Sequence, residues 1–219
     1  MAVIFPKASD IVLKVIGAVV VVGALAGTAA YTYYTYPTVM DTGYQPAQPV
    51  PYSHKLHAGQ LGLDCYYCHS TVYKAAFAAV PATSTCMNCH TQVKKDSPRL
   101  ELVRQSYAMN KPIPWVQIHR LPDYVYFNHQ AHLTAGVSCV SCHGRIDQME
   151  VVRQDQPLSM SWCLDCHRDP EPNLRPVAEI TNLAWERPEG VSAHEYAQSL
   201  VEDGQRYVVP PENCGGCHR

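Results

Sequence analysis

Apolar residues in this chain gather at one end. Val15 to Tyr36 runs for 22 residues without a charge, opening Val-Ile-Gly-Ala-Val-Val-Val-Val-Gly. As a helix rising about 1.5 Å per residue this stretch reaches roughly 33 Å, enough to cross the hydrocarbon core of a bilayer. Lys7 and Lys14 precede it, and Tyr31, Tyr33, Tyr34 and Tyr36 cluster at its far end. The pattern therefore predicts a single span with a cytoplasmic amino terminus and an aromatic belt at the outer interface. A cleaved signal peptide is the competing reading, because Thr28-Ala29-Ala30 resembles a small-residue cleavage site. With Met1 and the span in one chain, an uncleaved signal anchor is the expectation. Gly23-Ala-Leu-Ala-Gly27 places a GxxxG pattern inside it, which lets another helix approach closely.

Beyond the span the apolar periodicity fades into a sequence rich in Pro, Tyr, Gln and Asn. Residues 37–51 carry four prolines and read as an extended linker. Short helices are expected around Ala75–Ala79, Pro98–Met109 and Ser192–Glu202, separated by proline-rich loops, with no sheet beyond a short hairpin. A repeat is visible from spacing alone. Tyr52-Ser-His54-Lys-Leu-His57 leads through a Gly-containing turn to Cys65, and Phe127-Asn-His129-Gln-Ala-His132 leads through Gly136 to Cys139. Each copy continues past a proline (Pro81, Pro157) to a second cysteine pair, at Cys86 and at Cys163. Duplication of a small unit accounts for this most simply. The expected organisation is an anchor at 1–36, a linker at 37–51, modules at 52–114 and 115–185, and a carboxyl-terminal segment at 186–219.

With three Phe and three Trp in 219 residues, side chains alone would make a thin core. The formal charge of −2 gives no basic field, which argues against nucleic acid as a partner. The cysteines change the picture. All ten fall into five C-x-x-C-H units: Cys65/Cys68/His69, Cys86/Cys89/His90, Cys139/Cys142/His143, Cys163/Cys166/His167 and Cys214/Cys217/His218. Two thiols three positions apart on one turn can form thioethers to the two vinyl groups of a haem, and the next residue offers its imidazole to the iron. A thioredoxin-like pair or a zinc knuckle explains one C-x-x-C but not the adjacent His each time. With His at roughly one residue in twenty, five such coincidences would occur about once in a few million. A disulfide framework has no use for the repeated imidazole. Five covalently bound haem c groups are predicted, and the porphyrins become the core of a mainly α and irregular multihaem cytochrome c, coupling cofactor attachment to folding.

Six histidines remain for the opposite faces of the irons: His54, His57, His119, His129, His132 and His194. The aromatic-x-His-x-x-His segments put two imidazoles on one helical turn, where they can face different haems. The expectation is that His54 and His129 serve their own modules, while His57 and His132 each reach another haem. The fifth position is open between His119, Met149 and Met160, a thioether raising the potential above that of a bis-imidazole haem. His194 reads as a plain helix histidine. Because the fifth motif ends at His218 with only Arg219 after it, its haem is expected at the edge of the array.

The run Tyr52–His57 followed by Cys-Tyr-Tyr-Cys-His resembles the small low-potential multihaem cytochromes c of the periplasm. Two longer stretches, Pro112–His129 and Cys139–Met149, resemble the pentahaem cytochrome subunit of alternative complex III, a bacterial quinol-oxidising respiratory complex. The resemblance spans about residues 52–185 and includes the amino-terminal anchor; Glu186 to Val209 carries no such signal. It implies a single-pass protein of the inner membrane with its haem domain in the periplasm. Its partners would be an iron–sulfur subunit and quinol-binding membrane subunits, with electrons leaving to a cytochrome c or a terminal oxidase. The family's mixture of bis-His haems with one His/Met haem matches the choice left open between His119 and Met149. The implied role is an electron-transfer subunit with no catalytic residues of its own. A stand-alone multihaem quinol dehydrogenase is the alternative; it is less natural here because 28 residues separate Tyr36 from Cys65. A reductase of nitrite or a similar oxyanion would need an open iron, often marked by an irregular motif, and all five motifs are regular.

Overall fold

The computed structural model describes Pro6 and residues 8–218. Lys7, part of the orientation argument, and Arg219, beyond the last motif, lie outside the described residues. The chain divides into two compact units, one up to Asp41 and one from Thr42 onward.

In the first unit, helix α1 covers Ala8–Thr35, 28 residues that include Asp10 and Lys14 ahead of the apolar stretch. None of its residues is buried. By length and composition it is long and apolar enough to cross a membrane. Its threonine hydroxyls bond to the preceding turn: Thr28 Oγ1 donates to Ala24 O at 2.9 Å and Thr35 Oγ1 to Tyr31 O at 2.7 Å. Tyr36 breaks the helix, extended at φ −69°, ψ 128°. The following proline disfavours the α region for the residue before it. A single turn, α2 (Pro37–Met40), follows.

The second unit holds short helices and no strand among the described residues; Val137 and Leu174 form an isolated antiparallel bridge. Five of these helices carry cysteine motifs at one end or throughout, the first four being α3 (Cys65–Cys68), α4 (Thr83–His90), α7 (Cys139–His143) and α8 (Met160–Arg168). Between them lie α5 (Glu101–Met109) and α6 (His129–Thr134), and α9 (Ala193–Glu202) and α10 (Cys214–Cys217) complete the chain. Side-chain caps start three of the five motif turns. Asp64 accepts from Tyr66 N, Ser138 from Val140 N and Ser159 from Trp162 N, which satisfies orphan donors at each start. The first copy of the His-x-x-His segment is a π-helical turn over Lys55–Gln60, and the second opens α6.

Two expected helices are present: Pro98–Leu100 as a 3₁₀ turn running into α5, and α9 with Ser192 as its N-cap. The third, around Ala75–Ala79, is not a helix. Thr71 Oγ1 bridges Phe77 O and Ala79 N at 3.0 and 2.9 Å, and the Ala76 and Ala79 carbonyls turn outward to imidazoles instead. Residues 43–50 run without helix and are stitched to the rest of their unit: Gly43 N donates to Gln154 O, Gln154 N to Tyr44 O, and Gln48 pairs with Val116 in both directions.

Apolar packing is sparse. Eleven apolar side chains are buried among the described residues, and the clusters they form are small. Val50, Val103 and Ile113 make one, Val72, Leu133 and Ile180 a second, Leu174, Ala197 and Leu200 a third. Meanwhile Phe77 is 81% and Val80 59% exposed between the first two motifs. A soluble fold of this size would bury such residues in one continuous core; here the polypeptide alone does not supply it.

Candidate haem-binding site

All ten motif cysteines are free thiols. No group of three or more His, Cys, Asp or Glu suited to hold a metal ion occurs among the described residues, so the five pairs do not converge into four-ligand zinc centres. Each pair sits on its own helical turn, with the following histidine at or just past the turn's end.

Four of the five motif histidines share a hydrogen-bonding pattern. Nδ1 of His69 lies 3.0 Å from Ala79 O, that of His90 2.9 Å from Val93 O, that of His167 2.7 Å from Pro211 O and that of His218 3.1 Å from Tyr124 O. His143 differs: its Nδ1 lies 3.3 Å from Nε2 of His119. An Nδ1–H donated to an acceptor fixes the tautomer and leaves the Nε2 lone pair for an iron, the usual outer-shell arrangement of metal-bound histidine. Neither the carbonyls nor the His143–His119 contact were foreseeable from sequence, because a backbone acceptor has no residue signature.

The His-x-x-His segments are geometric duplicates. The Tyr52 ring stacks on His57 at 4.5 Å and 24°, and Phe127 stacks on His132 at 4.5 Å and 29°. Edge contacts to the first histidine repeat as well, Tyr52 to His54 at 4.8 Å and Phe127 to His129 at 4.7 Å. The second histidine of each copy gives its Nδ1 to the carbonyl four residues back, Ser53 O at 2.9 Å and Asn128 O at 2.8 Å. Both then face the second motif of their own module: His57 to His90 with centroids 6.2 Å apart, His132 to His167 at 6.1 Å. An iron held about 2.0 Å from each Nε2, the usual metal–imidazole length, would separate the two centroids by roughly 6.3 Å. Both pairs are therefore spaced for an iron between them. The copies also contact each other reciprocally. His129 N donates to Ala76 O at 3.1 Å, in the loop after the first motif, and Lys55 N donates to Met149 O at 3.0 Å, in the loop after the third.

His119 and His143 stand only 4.3 Å apart, edge to face, too close to share an iron in this arrangement. Met149 is buried at 5% exposure, whereas Met160 is 68% exposed. His194 engages both ring nitrogens elsewhere, Nδ1 with Glu171 at 3.0 Å and Nε2 with Gln198 at 2.9 Å. Nδ1 of His54 is buried without a partner, an orphan that iron ligation through Nε2 would leave in place.

Burial sets the protonation of this cluster. It lowers His143 to about 3, with the nearby His119, His129, His69 and His54 adding to the effect. It lowers His54 to about 4, helped by His69 and His57, and it lowers His119 and His132 as well. These imidazoles are neutral at pH 7, the form whose lone pair can bind a metal. Burial likewise pushes the Cys142 thiol up to about 12, with Cys166 and Cys163 next in effect. The free thiols stand in for thioether sulfurs, so their positions carry over to a haem-loaded chain and their protons do not. Paired cysteines on capped turns, oriented and neutral imidazoles, two iron-sized gaps and unfilled apolar faces all fit haem c.

Residues 125–219 match the family described as cytochrome c7 and related cytochrome c. The match takes in the third, fourth and fifth motifs and runs across residues 186–209, where the sequence offered no resemblance. The chain is also 32% identical over 114 residues to a protein of Nitratidesulfovibrio vulgaris named menaquinone reductase, multiheme cytochrome c subunit. That alignment covers 52% of this chain and 52% of the relative, so the chain matches about half of the relative's length. Fold and comparisons agree on a helical, strand-poor multihaem cytochrome c with one apolar amino-terminal helix.

Proposed function

We propose that this chain binds five haem c groups and carries electrons as the membrane-anchored cytochrome subunit of a quinol-oxidising respiratory complex of the alternative complex III type. The observation that carries the reading is the recurrence of one imidazole pair, His57/His90 and His132/His167, at 6.2 and 6.1 Å. Haem supplies the one-electron chemistry when bound. The chain's residues supply attachment through the ten cysteines, orientation through the Nδ1 contacts, and potential through the choice of axial partner. In this reading His57 and His132 ligate opposite His90 and His167, and His54 and His129 serve the first haem of their modules. His119 acts on His143 through its Nδ1, which leaves the buried Met149 as a candidate for a remaining axial position. The partners are an iron–sulfur subunit, quinol-binding membrane subunits and a cytochrome c or terminal oxidase. Helix α1 holds the chain in the inner membrane with the haem domain in the periplasm.

The name of the relative favours a second reading, in which electrons run toward menaquinone. The full chain, purified with its complex from membranes in mild detergent, distinguishes the two. Rapid reduction by a quinol and re-oxidation by an oxidised cytochrome c supports the proposed direction. Reduction by a reduced cytochrome c, followed by re-oxidation on adding quinone, supports the reverse. Haem reduction by neither donor would sink both.

A further inference from the structure

The cysteine motifs do not lie in space in the order in which they lie in the chain. Between the first and second motifs, Asn88 Nδ2 donates to the Tyr67 hydroxyl at 2.9 Å. Cys86 lies close enough to Cys68 to act on it electrostatically. Between the first and third, Tyr66 and Cys139 pack on one cluster with Val72, Leu133 and Ile180, and Cys65 lies beside Cys139. Between the third and fourth, His132, whose carbonyl accepts from Val137 N just ahead of the third motif, faces His167 of the fourth at 6.1 Å, and Cys142 has Cys166 and Cys163 as neighbours. The fourth and fifth are joined by Pro211 O, which receives Nδ1–H of His167 at 2.7 Å, and by the approach of Cys217 to Cys163.

We infer that the haem sites form one unbranched array in the order second, first, third, fourth, fifth, with the Cys86/Cys89 and Cys214/Cys217 sites as its two ends. This rests on the reading that all five motifs carry haem. An independent observation supports the ends: of the ten cysteines, Cys89 and Cys214 are the exposed ones, and the other eight are half-buried. The middle of the array lies where the two repeats meet. The reciprocal contacts His129 N to Ala76 O and Lys55 N to Met149 O close that junction. Placing the first and third motifs back to back turns two di-haem modules into a single conduit. The second motif is pushed outward on one side, and the fourth and fifth extend the other. Electrons exchanged at the Cys86/Cys89 end then have to cross the Cys139/Cys142 site to reach the Cys214/Cys217 end.

Iron positions in crystals of the full haem-loaded chain, located by anomalous scattering at the iron edge, test the order directly. The expected nearest-neighbour contacts are second to first, first to third, third to fourth and fourth to fifth. A second iron placed beside the fourth or fifth, or a branched arrangement, overturns the inference. Fewer than five irons in a fully matured sample overturns the underlying reading instead. A solution test uses rapid mixing with a small reductant. Cys139→Ala with Cys142→Ala should lose fast equilibration between the two sides of the array. Unchanged equilibration counts against the order. If that variant does not mature, the iron positions decide alone.

Discussion

The imidazole of His57 faces that of His90 across 6.2 Å, and the same relation returns between His132 and His167 at 6.1 Å. The aromatic residue stacked on the second histidine and the carbonyl holding its Nδ1 return with it. A repeat first seen as spacing is therefore a repeat of imidazole geometry.

Replacing either histidine proposed as a distal ligand should open one iron. His57→Ala and His132→Ala should each convert one of the five haems from low-spin to high-spin and let it bind CO when reduced, with all five haems still attached. Electron paramagnetic resonance and CO difference spectra read this directly. A variant whose spectrum stays wholly low-spin would show that its histidine is not an axial ligand.

His119 should behave differently. Its Nε2 lies 3.3 Å from His143 Nδ1, and an acceptor there makes the imidazole a stronger donor to iron, which favours the oxidised state. His119→Phe should raise the potential of a single haem by roughly 40 mV, the equivalent of one hydrogen bond of about 1 kcal/mol, with no change of spin state. A spectroelectrochemical titration with a parallel CO assay separates the outcomes. CO binding by this variant would make His119 a ligand after all.

Gly59 lies in the π-helical turn of the first module, where an added Cβ would collide with the backbone carbonyl of Asp147. The obstacle is main chain, so it cannot swing aside. Gly59→Ala should cost about 1–3 kcal/mol and loosen the contact between the modules. Thermal unfolding of the haem-loaded protein, compared with the conservative Ala58→Ser, measures the loss; equal melting temperatures would contradict the packing described.

Helix α9 is started by a capping box in which Ser192 and Glu195 satisfy each other's backbone groups. Ser192→Ala should cost the local helix about 1 kcal/mol and raise amide exchange from Ala193 onward. Hydrogen bonds from Ser192 hold the Glu195 carboxyl below the usual range. A carboxyl depressed in the folded state adds stability above its unfolded pKa and loses it as pH falls through the folded one. Exchange in α9 should therefore accelerate below the ordinary carboxylate range in the native chain, and much less so in the Ser192→Ala variant. Identical pH profiles would mean that the box contributes nothing.

The sequence spoke most clearly where covalent chemistry demands fixed spacing. Cys65 to His69 and its four counterparts could be read without any fold, and α1 and α9 followed from an apolar run and from Ser192 with Glu195. The aromatic-x-His-x-x-His repeat was legible as spacing and returns as ring geometry, although which imidazole each second histidine faces is set by long-range packing. His57 turns to His90 of its own module, a relation spacing could not give. Ala75–Ala79 reads as helix by composition, but Thr71 and the imidazoles of His69 and His129 claim its polar groups. Residues 43–50 look like a linker because they lack apolar period, yet their backbone pairs with Gln154 and Gln48 pairs with Val116. Backbone acceptors and neighbours distant in the chain leave no local pattern, so these features became visible only in three dimensions.

The central claim is that every one of the five motifs holds a covalent haem. Intact mass spectrometry of the chain, matured with the cytochrome c attachment machinery and denatured before injection, tests it most directly. The account predicts the polypeptide mass plus five haems, unchanged by reductant or chelator. A mass short of five haems, a loss of hydrogens matching disulfides, or zinc released by chelation would contradict it.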